Sequence, residues 1–327
     1  MRGFLKPLLV HFLRRDPGEI SERARGFDIR GEERRALVAR LGSAFISGYN
    51  AMLQMESLVE VAREGMRTDA HFRPFFFEGA AMGYLPSGYF RSGRNARRAE
   101  RDLMGMHPGF SYLYYVGLGF WFGFRHPARP SSLNALAAHL DPMYFPLCYD
   151  GFGFKLGFFD YRTPAGSRRR LDRCPPEHRS AIYQGFGRAL FFVFMDDEPG
   201  FNRVRDALPL ERREDLELGR SLALAFTHAD KPEILAAHLT GDGEADLAAR
   251  LTGVTWALTA RELHDPDYFR DCMRSASPQT RDLLGELPAA CRRALSDSGG
   301  YFEWQRKTRT EVTAMYLERH SSMRSKT

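Results

Sequence analysis

Cysteine is scarce in this chain and forms no pattern. Cys148, Cys174, Cys272 and Cys291 show neither the paired spacing of a metal knuckle nor that of a redox motif. This fits a reducing cytoplasm, where thiols stay unpaired. Histidine is equally uninformative. His126, His139, His228, His238 and His264 fall near expected helix ends or loops, and no His-x-x-x-His or His-Glu-x-x-His arrangement occurs. No metal site is expected, and no cofactor motif is evident. There is no Gly-x-Ser-x-Gly elbow, no cysteine in a protease-like setting and no Walker-type loop, which disfavours a nucleophilic hydrolase. No apolar run is long enough to span a membrane; the most apolar window, residues 110–124, is short and broken by Gly117, Gly119 and Gly123. The first ten residues join a basic start to an apolar run, but no small-residue cleavage site follows and Arg14-Arg15 closes the segment. A signal peptide is therefore not expected. The segment reads as a cap on the first helical unit or as an amphipathic helix touching a membrane or a partner.

The formal net charge of +6 is concentrated in clusters such as Arg94-Asn95-Ala96-Arg97-Arg98 and Arg168-Arg169-Arg170. Such clusters serve either as a solvated face or as a dock for an anionic partner, for example an acidic carrier protein. Nucleic acid is not expected, because no recognition motif accompanies the charge.

The sequence does contain a recurring aromatic and glycine block. Tyr149-Asp150-Gly151-Phe152-Gly153-Phe154 has counterparts at Tyr115 to Phe120 and Tyr183 to Arg188, with fainter copies around Gly219 and Gly253. The first glycines, Gly117, Gly151, Gly185, Gly219 and Gly253, are each 34 residues apart. A constant interval of this size predicts stacked helical hairpins. The expected fold is all-α, a right-handed α-solenoid-like array. Gly42 and Gly79 are candidates for the same slot in earlier, slightly longer units. Residues 1–30 read as an entry segment, 31–296 as the helical-repeat domain and 297–327 as a C-terminal capping helix and tail. Prolines at 108, 142, 176, 209, 232, 266 and 278 fall at expected unit or helix starts, where the missing N–H costs nothing. A short helix over 131–140 is expected to take Ser131 or Ser132 as its N-cap.

Glycine inside a helix costs roughly 1 kcal/mol against alanine. Close approach of neighbouring helices is the gain that offsets it, with Phe, Trp and Leu filling the flanks. The Gly-x-Gly pairs also resemble part of a nucleotide fingerprint, but they lie inside an apolar helical pattern rather than between a strand and a helix. A strand reading of the aromatic runs stays open as the alternative, although their two-residue alternation is poor.

The residue before each first glycine is Glu78, Val116, Asp150, Gln184, Leu218 and Thr252 in successive units. Side-by-side helices would align these positions into a row with polar groups among aromatics. Lys155 and Arg188 stand four and three residues after their glycines, so either is a natural partner for Asp150. The pair serves as an internal lock between units, or as a polar site in an apolar groove whose carboxylate has a raised pKa and moves protons. On the second reading Glu78 and Asp150 are the acid–base candidates. Lys155, Gln184, Arg188, Tyr149 and Tyr49 are the substrate-binding candidates.

Several blocks together carry a resemblance: Arg25-Gly26-Phe27, Gly48-Tyr49-Asn50, Phe77-Glu78-Gly79-Ala80-Ala81-Met82, Tyr149 to Phe154 and Gln184 to Phe192, in this order. Over residues 20 to 260 the chain resembles the UnbL-type family, found beside enediyne polyketide synthases in bacteria. Many relatives follow the Asp-Gly-Phe-Gly-Phe block with His-Glu, where this chain has Lys155-Leu156, so no role of that pair carries over. The resemblance implies a cytoplasmic protein of enediyne antibiotic biosynthesis, acting on a linear polyene made by the synthase. It also implies possible partners in the synthase, its thioesterase or a membrane-embedded pathway protein. The alternative is a non-catalytic helical scaffold that docks those proteins.

Overall fold

The computed structural model describes residues 10–89, 91, 93–240 and 246–324. Every regular element among them is helical, so the chain is all-α. In chain order the helices are α1 Glu19–Ala24, α2 Glu32–Gln54, α3 Leu58–Arg67, α4 Arg73–Ser87, α5 Ala96–Met104, α6 Ser111–Arg125, α7 Asn134–Ala137, α8 Pro146–Phe158 and α9 Pro164–Leu171. They continue with α10 Arg179–Val193, α11 Glu198–Asp206, α12 Leu210–Thr227, α13 Pro232–Thr240, α14 Leu247–His264, α15 Pro266–Arg274, α16 Pro278–Gly285, α17 Leu287–Ser296 and α18 Tyr301–Arg324.

The even-numbered helices α2 to α14 are long and lie side by side in chain order, each against the next. The odd-numbered α3 to α15 are the return legs. Several begin at a side-chain cap that satisfies otherwise unpaired first-turn N–H groups. Ser57 and Glu60 form a reciprocal capping box at α3, and Asn95, Thr163, Asp197 and Asp265 cap α5, α9, α11 and α15. The expected Ser131/Ser132 cap is absent. A 3-10 turn, Pro130–Leu133, leads into the single-turn α7 without a side-chain cap.

The glycine interval sets the spacing of the long helices. A methyl group added at Gly117, Gly151, Gly185, Gly219 or Gly253 would collide with the carbonyl oxygen of Glu78, Val116, Asp150, Gln184 or Leu218 respectively. Each first glycine thus rests on the backbone of the residue preceding the first glycine, or its equivalent, one unit earlier. The second glycines Gly119, Gly153 and Gly187 rest likewise on Cys148, Ile182 and Leu216 of the unit that follows. Backbone-to-backbone contact on both flanks holds the long helices parallel and in one register. In α2 the register falls differently from the expectation. Gly79 rests on the Phe45 carbonyl and Gly48 on that of Phe76, so Ile46 holds the first position and Gly48 the second. Gly42 instead admits the Ile20 side chain of α1.

The row curls until its far end meets its near end. The guanidinium of Arg261 at the end of α14 donates to the His71 carbonyl at 2.8 Å and the Phe226 carbonyl at 2.5 Å. Arg73 pairs with Asp265 at 2.8 Å, and the His264 ring stacks on Phe110 at 4.8 Å. Arg261 is only 1 % exposed, and burial drives its pKa down to about 10. The charge is tolerated through those carbonyls and the Phe226 ring, 4.2 Å away. Inside the curl, α1 and α2 cover one end. The α1–α2 link exchanges backbone hydrogen bonds with Val193 and Asp196, and Lys231 pairs with Glu33. At the other end α18 packs on α14 and α17, with Trp304 stacked on Trp256 at 4.7 Å.

The basic clusters are partly structural. Arg94 is buried and donates to the Met52 carbonyl at 2.7 Å, while Arg168 and Arg170 pair with Asp172 and Asp160. All four cysteines are buried free thiols. The amphipathic N-terminal segment falls largely on residues outside those described.

Gly185→Ala is expected to lower unfolding free energy by about 2–4 kcal/mol in chemical denaturation, because its methyl must force two backbones apart. Gly285→Ala, with nothing within 4 Å of the added methyl, is expected to change it little. Equal effects of the two would contradict the seam.

Candidate functional site

Along each long helix, the residue before the first glycine and those three and seven after it share one stripe, because spacings of four residues return nearly to the same face. In the curled row this stripe faces inward. It supplies Asp150, Phe154 and Phe158 from α8, Gln184, Arg188 and Phe192 from α10, and Leu222 and Phe226 from α12. The inward faces line two chambers. Chamber one is lined by Ile20, Val38, Leu41, Phe45, Phe75, Phe120, Phe154, Phe158, Phe159, Phe192, Leu222, Ala223 and Phe226, with Glu78, Arg188 and Thr227 as its polar groups. Chamber two lies toward α18 and takes in Leu113, Val116, Leu147, Trp256 and Trp304, with Asp150, Gln184 and Arg188. Arg188, Leu222 and Phe226 border both.

Between the chambers lies a polar layer. Arg188 Nη1 donates to Asp150 Oδ1, and Arg188 Nη2 lies 3.5 Å from Glu78 Oε1 on α4, across the interior. Gln184 Nε2 donates to Asp150 Oδ2 at 2.8 Å. Tyr301 Oη and Gln305 Nε2 of α18 donate to Gln184 Oε1 at 3.2 and 3.4 Å, which orients the amide. Asp150 is 1 % exposed and Glu78 3 % exposed. Two carboxyl groups thus share one guanidinium away from water. Burial pushes Glu78 up to about 7, with Arg188 opposing and Asp150 adding to the rise. Burial raises Asp150 too, against Arg188 and the Gln184 amide. Burial works against the charge on Arg188, but the two carboxylates outweigh it and raise its pKa. Asp150 makes the closer bond to Arg188 and accepts a second from Gln184, so it is the ionised partner. Glu78, with one long contact and its second oxygen free of hydrogen bonds, carries the labile proton. The layer can hold a neutral carboxylic acid near neutral pH on the edge of an aromatic void, the arrangement suited to proton transfer.

Of the residues singled out in the sequence, Glu78, Asp150, Gln184 and Arg188 come together here. Lys155 does not. One residue beyond the inward position turns it by about 100°, and its Nζ pairs with Asp160 at 2.8 Å while its stem fills the notch at Gly123. Tyr149 is turned away as well; its hydroxyl donates to Asn134 at 2.8 Å and its ring stacks on His178 at 4.3 Å. Tyr49 is buried beside α4 and borders neither chamber; burial raises its pKa to about 12, with Arg15 opposing. Trp256 was legible as the third residue after Gly253. Tyr301 and Gln305 were not, since α18 lies outside the glycine interval. Among the described residues no group of three His, Cys, Asp or Glu side chains is placed to hold a metal ion, and no helix is long and apolar enough to cross a membrane.

Between pH 4.5, the ordinary glutamate value, and about 7, the folded protein keeps the Glu78 proton that the unfolded chain has released. Stability contributed by the neutral acid is therefore lost as pH rises through this window, by an amount on the order of 3 kcal/mol. Glu78→Gln is expected to flatten this part of the stability–pH curve and to be more stable than the parent at pH 8. Parallel curves for the two proteins would contradict the assignment.

No curated protein and no solved structure matches the chain. A family model described as a protein of unknown function, DUF1702, matches residues 4–269, well over half of the sequence, and the chain belongs to that family.

Proposed function

We propose that the protein binds an extended, flat, apolar polyene in its aromatic chamber and assists its conversion through proton transfer at Glu78. The observation that carries this reading is a buried carboxyl, Glu78, held by a single 3.5 Å contact to Arg188 on the wall of a void lined by eight phenylalanines. Small-molecule sites are mostly apolar with few polar anchors, as this lining is. Aromatic side chains favour the stacked and edge contacts that a conjugated chain offers. In this proposal Arg188 and Asp150 hold the charge balance of the layer, while Gln184, fixed by Tyr301 and Gln305, orients Asp150. Lys155, Tyr149 and Tyr49 act through packing.

The resemblance of residues 77–82 and 149–154 to the UnbL-type family supports placing the reaction in enediyne antibiotic biosynthesis, after the polyketide synthase. The ligand is then the linear polyene of that pathway, and the synthase, its thioesterase or a membrane-embedded pathway protein are the proposed partners. Cytoplasmic location and the absence of a cofactor belong to the same proposal. So does reading the glycine interval as a helical-hairpin repeat of right-handed solenoid type, curled until its ends meet. The docking-scaffold alternative gives the interior void no role.

Titration of the purified protein with a linear conjugated polyene is expected to quench tryptophan fluorescence and shift the polyene absorbance at one-to-one stoichiometry. Glu78→Gln is expected to retain binding while losing about 100-fold or more in polyene turnover. Absence of polyene binding to the parent protein would overturn the reading. A protein that binds but whose turnover is untouched by Glu78→Gln would remove Glu78 from the chemistry.

A further inference from the structure

Three residues of the chamber linings each carry a buried polar atom that makes no hydrogen bond: Arg188 Nε, Thr227 Oγ1 and Trp256 Nε1. Unpaired buried atoms also occur elsewhere, at His71, His178 and His264 among others, but these three belong to residues that line the interior. Arg188 borders both chambers, Thr227 borders chamber one and Trp256 borders chamber two. Thr227 is 1 % exposed and Trp256 6 %. Other polar groups of the linings are engaged. Gln184 and Asp150 bond each other, and the Thr259 hydroxyl donates to the Thr255 carbonyl at 2.8 Å. Thr227, by contrast, does not use the carbonyl one turn earlier in its own helix, the usual outlet for a buried helical hydroxyl. An unpaired buried polar group costs about 1–3 kcal/mol, so three on the walls of one interior call for a counterpart.

All three can donate a hydrogen bond, and two of them, an indole N–H and a guanidinium N–H, can do nothing else. Neutral Glu78 adds a fourth donor, through its oxygen free of hydrogen bonds. The complement of such a set is a molecule that brings acceptors. A pure hydrocarbon would exclude water from these groups and pair none of them. We infer that the ligand is an oxygen-bearing polyene, with carbonyl, hydroxyl or ether oxygens accepting from Thr227 and Trp256, rather than a hydrocarbon. This rests on the polyene-binding reading above and specifies its substrate class. It also predicts that the reaction supplying this ligand leaves oxygen functions on the chain.

The test compares two probes on the intact protein by fluorescence titration: a linear conjugated polyene hydrocarbon and the same polyene ending in a methyl ketone. The ketone is expected to bind about tenfold more tightly, the equivalent of one well-made hydrogen bond to a buried donor. Thr227→Val removes the hydroxyl donor at nearly constant shape, and Trp256→Phe removes the indole N–H while keeping an aromatic ring. At least one of them is expected to erase the preference for the ketone, read as the ratio of the two affinities measured on the same variant, and which one does so assigns the chamber. Both variants are checked for an unchanged thermal midpoint; should either fail to fold, Thr227→Ser, which keeps the hydroxyl, is expected to retain the preference. Equal affinity of the two probes, tighter binding of the hydrocarbon, or a preference that survives both substitutions would overturn the inference while leaving polyene binding itself standing. Failure of both probes to bind would overturn the polyene reading along with it.

Discussion

The contact of one helix backbone against the next, at positions where a β-carbon has no room, is what the rest of the structure depends on. Glycine carries an intrinsic cost in a helix, and this chain places it there repeatedly because carbonyl-to-Cα approach brings neighbouring helices closer than side-chain packing allows. Close spacing has two consequences. Helices held this near one another and in one register present the same stripe to the same side. Bulky aromatics flanking the notches then have only one place to go, the inside of the curl, where they border a void they do not fill.

Electrostatics follow from that packing. A charged group placed on the inward stripe is removed from water by its neighbours, so it survives only by pairing. Arg188 comes from one side, Asp150 from the adjacent helix and Glu78 from across the interior. One cation and two carboxyls leave one proton to be held, and the weaker bond at Glu78 decides where. Stability and chemistry are coupled here. The burial that makes the ionised glutamate costly also raises its pKa into the range useful for proton transfer.

Much of this was legible in the residues. The glycine interval marks the helix seams, and the position before each first glycine marks the row in which Glu78, Asp150 and Gln184 stand. Lys155 and Arg188 show the limit of spacing by eye. They differ by a single position relative to their glycines, and one turns aside to the half-buried Asp160 while the other turns in. Gly42 seemed to continue the series, yet its notch receives the Ile20 side chain, a contact with the entry segment that an interval cannot encode. The clasp of Arg261 on His71, and the reach of Tyr301 and Gln305 to Gln184, join residues more than a hundred positions apart. Such contacts depend on how far the row curls, and small angles accumulated over seven helices are not written in any one of them.

The central claim is that the stacked seams carry a neutral glutamic acid to the wall of an aromatic void. Difference infrared spectroscopy of the parent protein against Glu78→Gln reads this directly. The account predicts an un-ionised carboxyl carbonyl band at pH 6, absent from the variant, that titrates away with a midpoint near 7. A parent spectrum with no such band above pH 5 would contradict it.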